Sequence, residues 1–251
     1  MTWSRIDPGK AVESGSWFRG CLYAAANKFL VFGNRHGNLV DDYNRRLLSW
    51  DHVAIVDLEA FGIYQPPPLK LDLQMQELGL AALEERILTD FEIVCEDGQR
   101  IPCSRRLLEE RWDWFMEERK SFLEKANQAT ESLPTSPMHT PLPELPEGST
   151  TQRLDPRLTP RALYLSEPYP IALAFLQYVY SLALVTTLQH TSGVLGQLLI
   201  LATNYRIPHL ESLVKHAMHQ ALTNQNSVGV YEVTTLCSCR SLQIRSVLFC
   251  F

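Results

Sequence analysis

Short apolar runs separated by polar loops fill the first quarter of the chain, a pattern typical of β-strands. Residues 28–33, which read KFLVFG, predict a buried strand that enters a turn at its glycine. A long polar loop over residues 34–50 and a second strand over residues 52–58 are expected next. Residues 61–64 predict a third strand, which ends at the prolines of residues 66–68 because proline cannot continue a sheet ladder.

From residue 71 to residue 88 the spacing of apolar positions becomes that of a helix. Successive intervals of seven, three and four residues place four side chains along one helical face: Leu73, Leu80, Leu83 and Ile87. The charged run Glu84-Glu85-Arg86 falls on the opposite, wet side. These residues therefore predict an amphipathic helix.

The middle of the chain predicts a strand, a turn, a strand and a helix, followed by a segment of different composition. The first strand covers residues 91–94, the hairpin turn residues 96–98, the return strand begins at Ile101, and the helix covers residues 105–125. Residues 127–160 then hold seven prolines among serines and threonines. Because such a segment buries too little apolar surface to offset the entropy of ordering, we expect it to be disordered or extended.

Order is expected to return at residues 161–165. Three helices and the start of a helix pair follow, at residues 169–180, 193–205, 208–222 and 227–245. Residues 171–188 are long and apolar enough to raise the alternative of a membrane span. Six polar or hydroxyl-bearing side chains within them favour instead a buried helix that runs into a strand.

The composition of the chain indicates the general class of protein to which it belongs. Apolar residues make up 45% and charged residues 20% of 251 residues, as in a soluble globular protein with a real core. A net charge of −5, without a basic run, argues against nucleic acid as a partner. No signal peptide is predicted, so the six cysteines are expected to be reduced and the protein cytoplasmic.

The sequence lacks the common motifs for catalysis and for cofactor binding. The sequence has no nucleophile elbow, no phosphate-binding loop and no zinc-protease helix motif, so we expect a protein that is not an enzyme and has no cofactor. His209, His216 and His219 lie close together in a predicted helix, a spacing that can present imidazoles to a metal. Since no further ligand completes the shell, structural histidines are the favoured interpretation, and no metal, catalytic or cofactor site is predicted.

The first 68 residues resemble a Kelch repeat. The resemblance is carried by Trp3, residues 29–33, Val56-Asp57-Leu58 and Tyr64. Asn34 stands where the repeat usually has a second glycine, and asparagine also tolerates a left-handed backbone. The resemblance implies one blade of a β-propeller.

Residues 90–225, apart from the proline-rich insertion, resemble a BTB domain. Before the insertion the resemblance is carried by residues 91–94, 96–98, Ile101, residues 105–108 and residues 114–115. After it, residues 170–180 resemble the family's "ylY" helix, and the apolar residues between 194 and 210 resemble its next helix pair. Ser104 stands where many relatives have histidine, and Trp112 where many have serine.

Together the two resemblances imply an α+β fold: a BTB/POZ domain with a proline-rich insertion, preceded by a single Kelch-like β-propeller blade. The implied segments are a blade at 1–68, a connecting helix at 69–89, the BTB domain at 90–125 and 161–225, the insertion at 126–160, and the start of a post-BTB helical segment at 226–251. A single blade has bare strand edges and an apolar face that its neighbours should cover. We therefore expect the C-terminal part of a longer protein or a truncated gene model.

The combination is similar to fungal Kelch/BTB proteins of the Ras-regulatory type, related to the leucine-zipper-like regulator family. Residues 56–67, which read VDLEAFGIYQPP and lead toward the BTB domain, carry this resemblance. It implies a protein-interaction scaffold in which the propeller holds a client, such as a Ras-type GTPase or its regulator. The BTB domain would form a homodimer through Leu73, Leu80, Leu83 and Ile87, although these residues could equally cover their own domain.

A substrate adaptor of a cullin ubiquitin ligase is the alternative function. Such adaptors often carry a hydrophobic-x-Glu motif after the "ylY" helix, and residues 182–190 contain no glutamate. The scaffold is therefore favoured over the adaptor.

The insertion also contains candidate phosphorylation sites. Ser136, Thr140 and Thr159 each precede a proline, as proline-directed kinases require. Regulation through these sites and a simple spacer role both remain open.

Overall fold

The structure is a computed structural model of the chain. It describes residues 6, 10, 12–46, 49–131 and 160–249. The chain divides into two compact units, which we call unit 1 (Met1–Pro67 with Lys215–Phe251) and unit 2 (Pro68–Val214). Residues 132–159, most of the proline-rich insertion, lie outside the described residues.

The described residues form β-strands, α-helices and short 3₁₀ helices. The strands are β1 (Ser16–Tyr23), β2 (Lys28–Asn34), β3 (His52–Asp57), β4 (Phe91–Val94), β5 (Arg100–Cys103) and β6 (Ala162–Tyr164). The helices are α1 (Leu39–Asn44), α2 (Leu73–Glu84), α3 (Arg105–Arg111), α4 (Asp113–Glu131), α5 (Tyr169–Ser181), α6 (Ser192–Asn204), α7 (Pro208–Ala221), α8 (Ser227–Leu236) and α9 (Arg240–Leu248). Short 3₁₀ helices lie at Ala24–Ala26, Glu59–Phe61 and Leu188–His190.

Unit 1 contains an antiparallel sheet in the order β1-β2-β3. The strands predicted at residues 28–33 and 52–58 form as β2 and β3, whereas β1 escaped the sequence analysis. The third strand predicted at residues 61–64 is wrong. The Asp57 carboxylate accepts a hydrogen bond from the Glu59 N–H (3.1 Å), which starts a 3₁₀ helix, and Gly62 ends that helix with φ of 78°.

The loop predicted over residues 34–50 contains the short helix α1. Asn38 begins it, because its side chain accepts a hydrogen bond from the Val40 N–H at 2.9 Å. Unit 1 also holds α8 and α9 from the far end of the chain. Cys237 and Cys239 lie in the turn between these two helices.

Unit 2 is built on a second sheet in the order β5-β4-β6. The β4–β5 hairpin turns at Gly98, whose φ is 78°, and β6 pairs in parallel with β4, so that Ile93 lies opposite Leu163. Helix α5 forms the centre of the core, and nine of its residues are buried. The chain after the insertion therefore returns to complete a sheet that was begun before it.

Several boundaries in unit 2 differ from those predicted. Helix α2 ends at Glu84, so Ile87 lies beyond it, and α4 continues to Glu131, past the predicted start of the insertion at residue 126. The strand expected after α5 does not form, because Leu182 adopts φ of 51° and ends the helix. No helix in the described part of the chain has the length and apolar composition needed to cross a membrane.

The limits of the two compact units agree only in part with those of the predicted segments. Unit 2 begins at Pro68, next to the predicted end of the blade at residue 68. It ends at Val214, within α7, whereas the BTB segment was predicted to continue to residue 225. The predicted segment limits stay predictions.

Candidate protein-interaction surface

The sheet of unit 1 carries apolar side chains on both faces. In an antiparallel sheet, residues directly opposite each other share a face. One face therefore bears the row Cys21, Leu30 and Ile55, and the other bears the row Leu22, Phe29 and Val56. We call this element, β1 to β3, the two-faced sheet.

Both faces are open to solvent within unit 1. Ile55 on one face is 62% exposed and Leu22 on the other is 61% exposed. Half-buried or exposed apolar neighbours extend each face, namely Phe32 and Val53 on the first and Val31 on the second. An antiparallel sheet that stands alone usually has one apolar and one polar face, so this sheet has the pattern of a layer between two others.

A second feature of unit 1 joins the segment after β3 to the end of α7. His219 is buried, and its Nε2 lies 3.2 Å from the Glu59 carboxylate. Since a carboxylate only accepts, this geometry places the imidazole proton on Nε2. The Tyr64 hydroxyl lies 2.9 Å from His216 Nδ1, and the rings of Tyr64 and His219 have centroids 4.8 Å apart. We call these four residues, Glu59, Tyr64, His216 and His219, the clasp.

Helix α9 holds the same segment from another direction. The Ser241 hydroxyl donates to the Asp57 carboxylate at 2.9 Å. Gly62 lies so close to the Arg245 guanidinium that a Cβ at this position would overlap it. Residues 57–64, which lie within the stretch 56–67 that carries the resemblance to the Ras-regulatory group, therefore tie the sheet of unit 1 to its helices.

The clasp sets the pKa values of two of its groups. The hydrogen bond with His219 holds the pKa of the Glu59 carboxyl below its usual value, and the charge of Lys215 acts in the same direction. Burial lowers the pKa of His216. The charged groups that face the clasp are Lys215 on α7 and Arg245 on α9.

We expect unit 1 to lose stability as the pH falls. Both groups bind protons more weakly in the folded unit than in the unfolded chain, so protonation favours the unfolded chain. His216 contributes first, as the pH falls below about 6.5, and Glu59 adds to the loss below about 4.3. Hydrogen exchange of the α8 and α9 amides, measured at pH 7.5 and at pH 5.5 and corrected for intrinsic rates, should show weaker protection at pH 5.5.

The variant His216→Gln should reduce this difference in protection between the two pH values. His36→Gln is the matched control, because His36 is an exposed histidine of the same unit outside the clasp. If both variants keep the wild-type dependence on pH, His216 is not the group responsible.

The residues predicted to mediate self-association have different environments within unit 2. Leu83 is buried and Leu80 half-buried, whereas Leu73 and Ile87 are exposed. Leu83 thus covers its own domain, the alternative left open by the sequence. Met75 and Leu78, which sequence analysis did not single out, are also exposed on α2.

The other candidate residues form no site. His209 lies in unit 2, where its Nδ1 is 3.1 Å from the Tyr178 hydroxyl, while His216 and His219 belong to the clasp. No cluster of three or more metal-binding side chains occurs among the residues that the structure describes. Trp3 and the candidate phosphorylation sites Ser136, Thr140 and Thr159 lie outside them.

Sequence analysis missed the feature that makes the two-faced sheet unusual. Strand β1 reads SWFRGCLY, and the Arg19-Gly20 pair interrupts its apolar pattern. The aromatic and branched residues on either side of that pair were the signal that could have identified the strand. A sheet that offers apolar side chains on both faces is a surface for protein contacts.

No protein-family model matches the chain. The chain is similar to a fungal protein, Protein ral2 of Schizosaccharomyces pombe (strain 972 / ATCC 24843), with 30% identity over 247 residues. The alignment covers 98% of this chain and 39% of ral2, so the chain spans about two fifths of the length of that relative. The similarity is to a fungal protein, and the Kelch, Ras-regulatory and BTB assignments stay predictions from the residues.

Proposed function

We propose that this chain is part of a protein-interaction scaffold in Ras-type GTPase signalling. In this proposal unit 1 supplies a blade of a Kelch propeller that holds a client, and unit 2 is a BTB domain that self-associates. The observation that carries the proposal is the two-faced sheet. A sheet with exposed apolar side chains on both faces gains stability only when other layers cover it.

The proposed propeller needs more than one blade. The part of ral2 that aligns with this chain is 39% of its length, which leaves room for further repeats in a longer protein. A propeller blade usually has four strands, and the described residues provide three. Neighbouring blades would cover Ile55 on one face and Leu22 on the other.

The order of elements in unit 2 supports the BTB part of the proposal. A hairpin (β4–β5) is followed by helices α3 and α4, and after the insertion by the helices α5, α6 and α7. This is the order that the resemblance implies. The exposed apolar residues of α2, namely Leu73, Met75 and Leu78, offer a surface for self-association.

Purification of the tagged, full-length gene product from native fungal cells tests the proposal. We expect a Ras-type GTPase or its regulator to co-purify with the wild-type protein. Ile55→Asp should reduce its recovery about tenfold or more, because a buried carboxylate without a partner destabilises the sheet between its neighbours. Tyr43→Asp is the matched control, since Tyr43 is 83% exposed on α1 and belongs to neither apolar row of the two-faced sheet, and its replacement should leave recovery unchanged.

A cullin in stoichiometric amount, recovered with ubiquitin-ligase turnover blocked, would instead favour the adaptor. Its loss in Thr187→Lys would settle the point in that direction, because Thr187 is exposed and its replacement leaves the core intact. Recovery of neither a GTPase nor a regulator, with Ile55→Asp indistinguishable from Tyr43→Asp, would contradict the scaffold.

A further inference from the structure

Unit 2 has an apolar groove that the proposed function leaves unexplained. Helix α4 forms one wall, and the strands β4 and β6 form the other. The groove has a volume of about 190 Å³ and is lined chiefly by Phe91, Trp114, Phe115, Phe122, Pro160 and Leu163. We call it the aromatic groove.

Four aromatic rings line it beside the aliphatic side chains of Leu123, Ala162 and Leu163. The rings of Phe91 and Phe115 lie edge to face with centroids 5.3 Å apart, and Phe122 is 40% exposed on α4. Glu118 and Arg119 also line the groove, and Arg119 pairs with Glu109. Grooves lined by aromatic rings bind proline-rich peptides, because the polyproline II helix is preformed and loses little entropy on binding.

The chain itself contains a peptide of this chemistry. Residues 140–146 read TPLPELP, in which prolines alternate with leucines and other residues. They belong to residues 132–159, which lie between the end of α4 and Pro160 in the sequence. This segment therefore continues from the helix that forms one wall of the groove, and at its other end it joins Pro160, which lines the groove.

We propose that the aromatic groove binds residues 141–146 of the same chain in an extended, polyproline II conformation. The attachment at both ends favours this occupant over a separate protein. A short tether gives an effective concentration in the millimolar range, so even a weak peptide site is filled from within the chain.

The length of the segment allows this binding. Leu123, the last residue of α4 in the groove, lies eight residues before Glu131, which corresponds to about 12 Å of helix. Return over that distance needs about four residues of polyproline II helix at about 3.1 Å each. Ten residues separate Glu131 from Leu142 in the sequence, so the connection is long enough with residues to spare.

A peptide of residues 139–147 and a variant chain test the proposal. In the variant, residues 132–159 are replaced by a glycine–serine linker of the same length, which leaves the groove without its tethered ligand. We expect the peptide to bind this variant at least tenfold more tightly than the wild-type chain, as measured by calorimetry and by the fluorescence of Trp114. The wild-type chain binds weakly because its own segment competes at a high effective concentration.

Two substitutions in the linker variant locate the site. Phe122→Ser should weaken peptide binding about tenfold or more, in line with the loss of an aromatic contact. Met116→Ser is the matched control, because Met116 is 47% exposed on the same helix and does not line the groove, and it should bind like the parent. Circular dichroism of both variants checks that α4 remains folded.

Three outcomes would overturn the proposal. If the peptide fails to bind the linker variant, the groove does not recognise this sequence. If wild-type and linker chains bind the peptide equally, the segment does not occupy the groove and an external ligand is the better occupant. If the wild-type chain forms a dimer that the linker variant does not, the segment binds a second copy rather than its own chain.

Discussion

Trp112→Ala is expected to lower the free energy of unfolding of unit 2 by about 3–5 kcal/mol, the range for removal of a large buried aromatic side chain. Trp112 is fully buried between α3 and α4. Its ring lies 4.8 Å from that of Phe175 on α5 and 5.0 Å from that of Tyr205, which follows α6, and it stacks on Trp114 and Phe115. Removal of the indole thus leaves a cavity where segments from before and after the insertion meet.

Urea unfolding followed by circular dichroism, with hydrogen exchange of the α5 amides as the local measurement, checks this expectation. Trp50→Ala is the control, because Trp50 is 45% exposed in unit 1 and its ring lies 5.2 Å from that of Phe32. It should cost about 1 kcal/mol or less and leave α5 protected. Equal effects of the two replacements on the α5 amides would contradict the central position of Trp112.

Gly79→Ala is expected to destabilise unit 2 by about 1–3 kcal/mol, although alanine favours helix formation by about 1 kcal/mol over glycine. Gly79 lies in the middle of α2, where this helix packs on α5. A Cβ at residue 79 would lie well inside contact distance of the Tyr180 carbonyl oxygen. The same oxygen accepts a hydrogen bond from Arg111 Nη1 at 2.8 Å, so a shift of the helices would also strain a charge-assisted bond.

Gly193→Ala is expected to change the stability of unit 2 in the opposite direction. Gly193 lies in the first turn of α6, and a Cβ there would meet no atom within 4 Å. This replacement should therefore stabilise unit 2 by about 0.4–1 kcal/mol through the unfolded state. Thermal and urea unfolding of both variants check the pair, and a stabilised Gly79→Ala protein would show that α2 is free to move away from α5.

Local patterns predicted most of the regular elements. Strand β4 and helices α5 and α6 formed close to the expected residues, because their apolar periods and flanking turn residues act within a few positions of each other. One error occurred where a single contact decides the conformation. The Asp57 carboxylate, which accepts from the Glu59 N–H, and the left-handed Gly62 turned a predicted strand at residues 61–64 into a 3₁₀ helix.

The candidate surface was harder to predict from the sequence than the strands and helices that form it. The pattern of β2 and β3 predicted strands without showing that both of their faces would be exposed, because exposure depends on what packs against a sheet. For the same reason, four residues at one helical spacing were grouped for self-association, yet Leu83 is buried and Leu73 is exposed. Periodicity assigns a residue to a face of a helix, and only packing decides what that face meets.

The amino-acid sequence alone predicted an acidic chain without the common catalytic motifs, strands in its first quarter, and a proline-rich insertion within the mixed strands and helices that follow. Those properties follow from composition and from local spacing. Local patterns did not predict three contacts of the folded chain: β6 pairs with β4 across the insertion, Trp112 joins segments from both sides of it, and the clasp brings Glu59 to His219. These contacts join residues far apart along the chain, and their free energy depends on distances that no local pattern records.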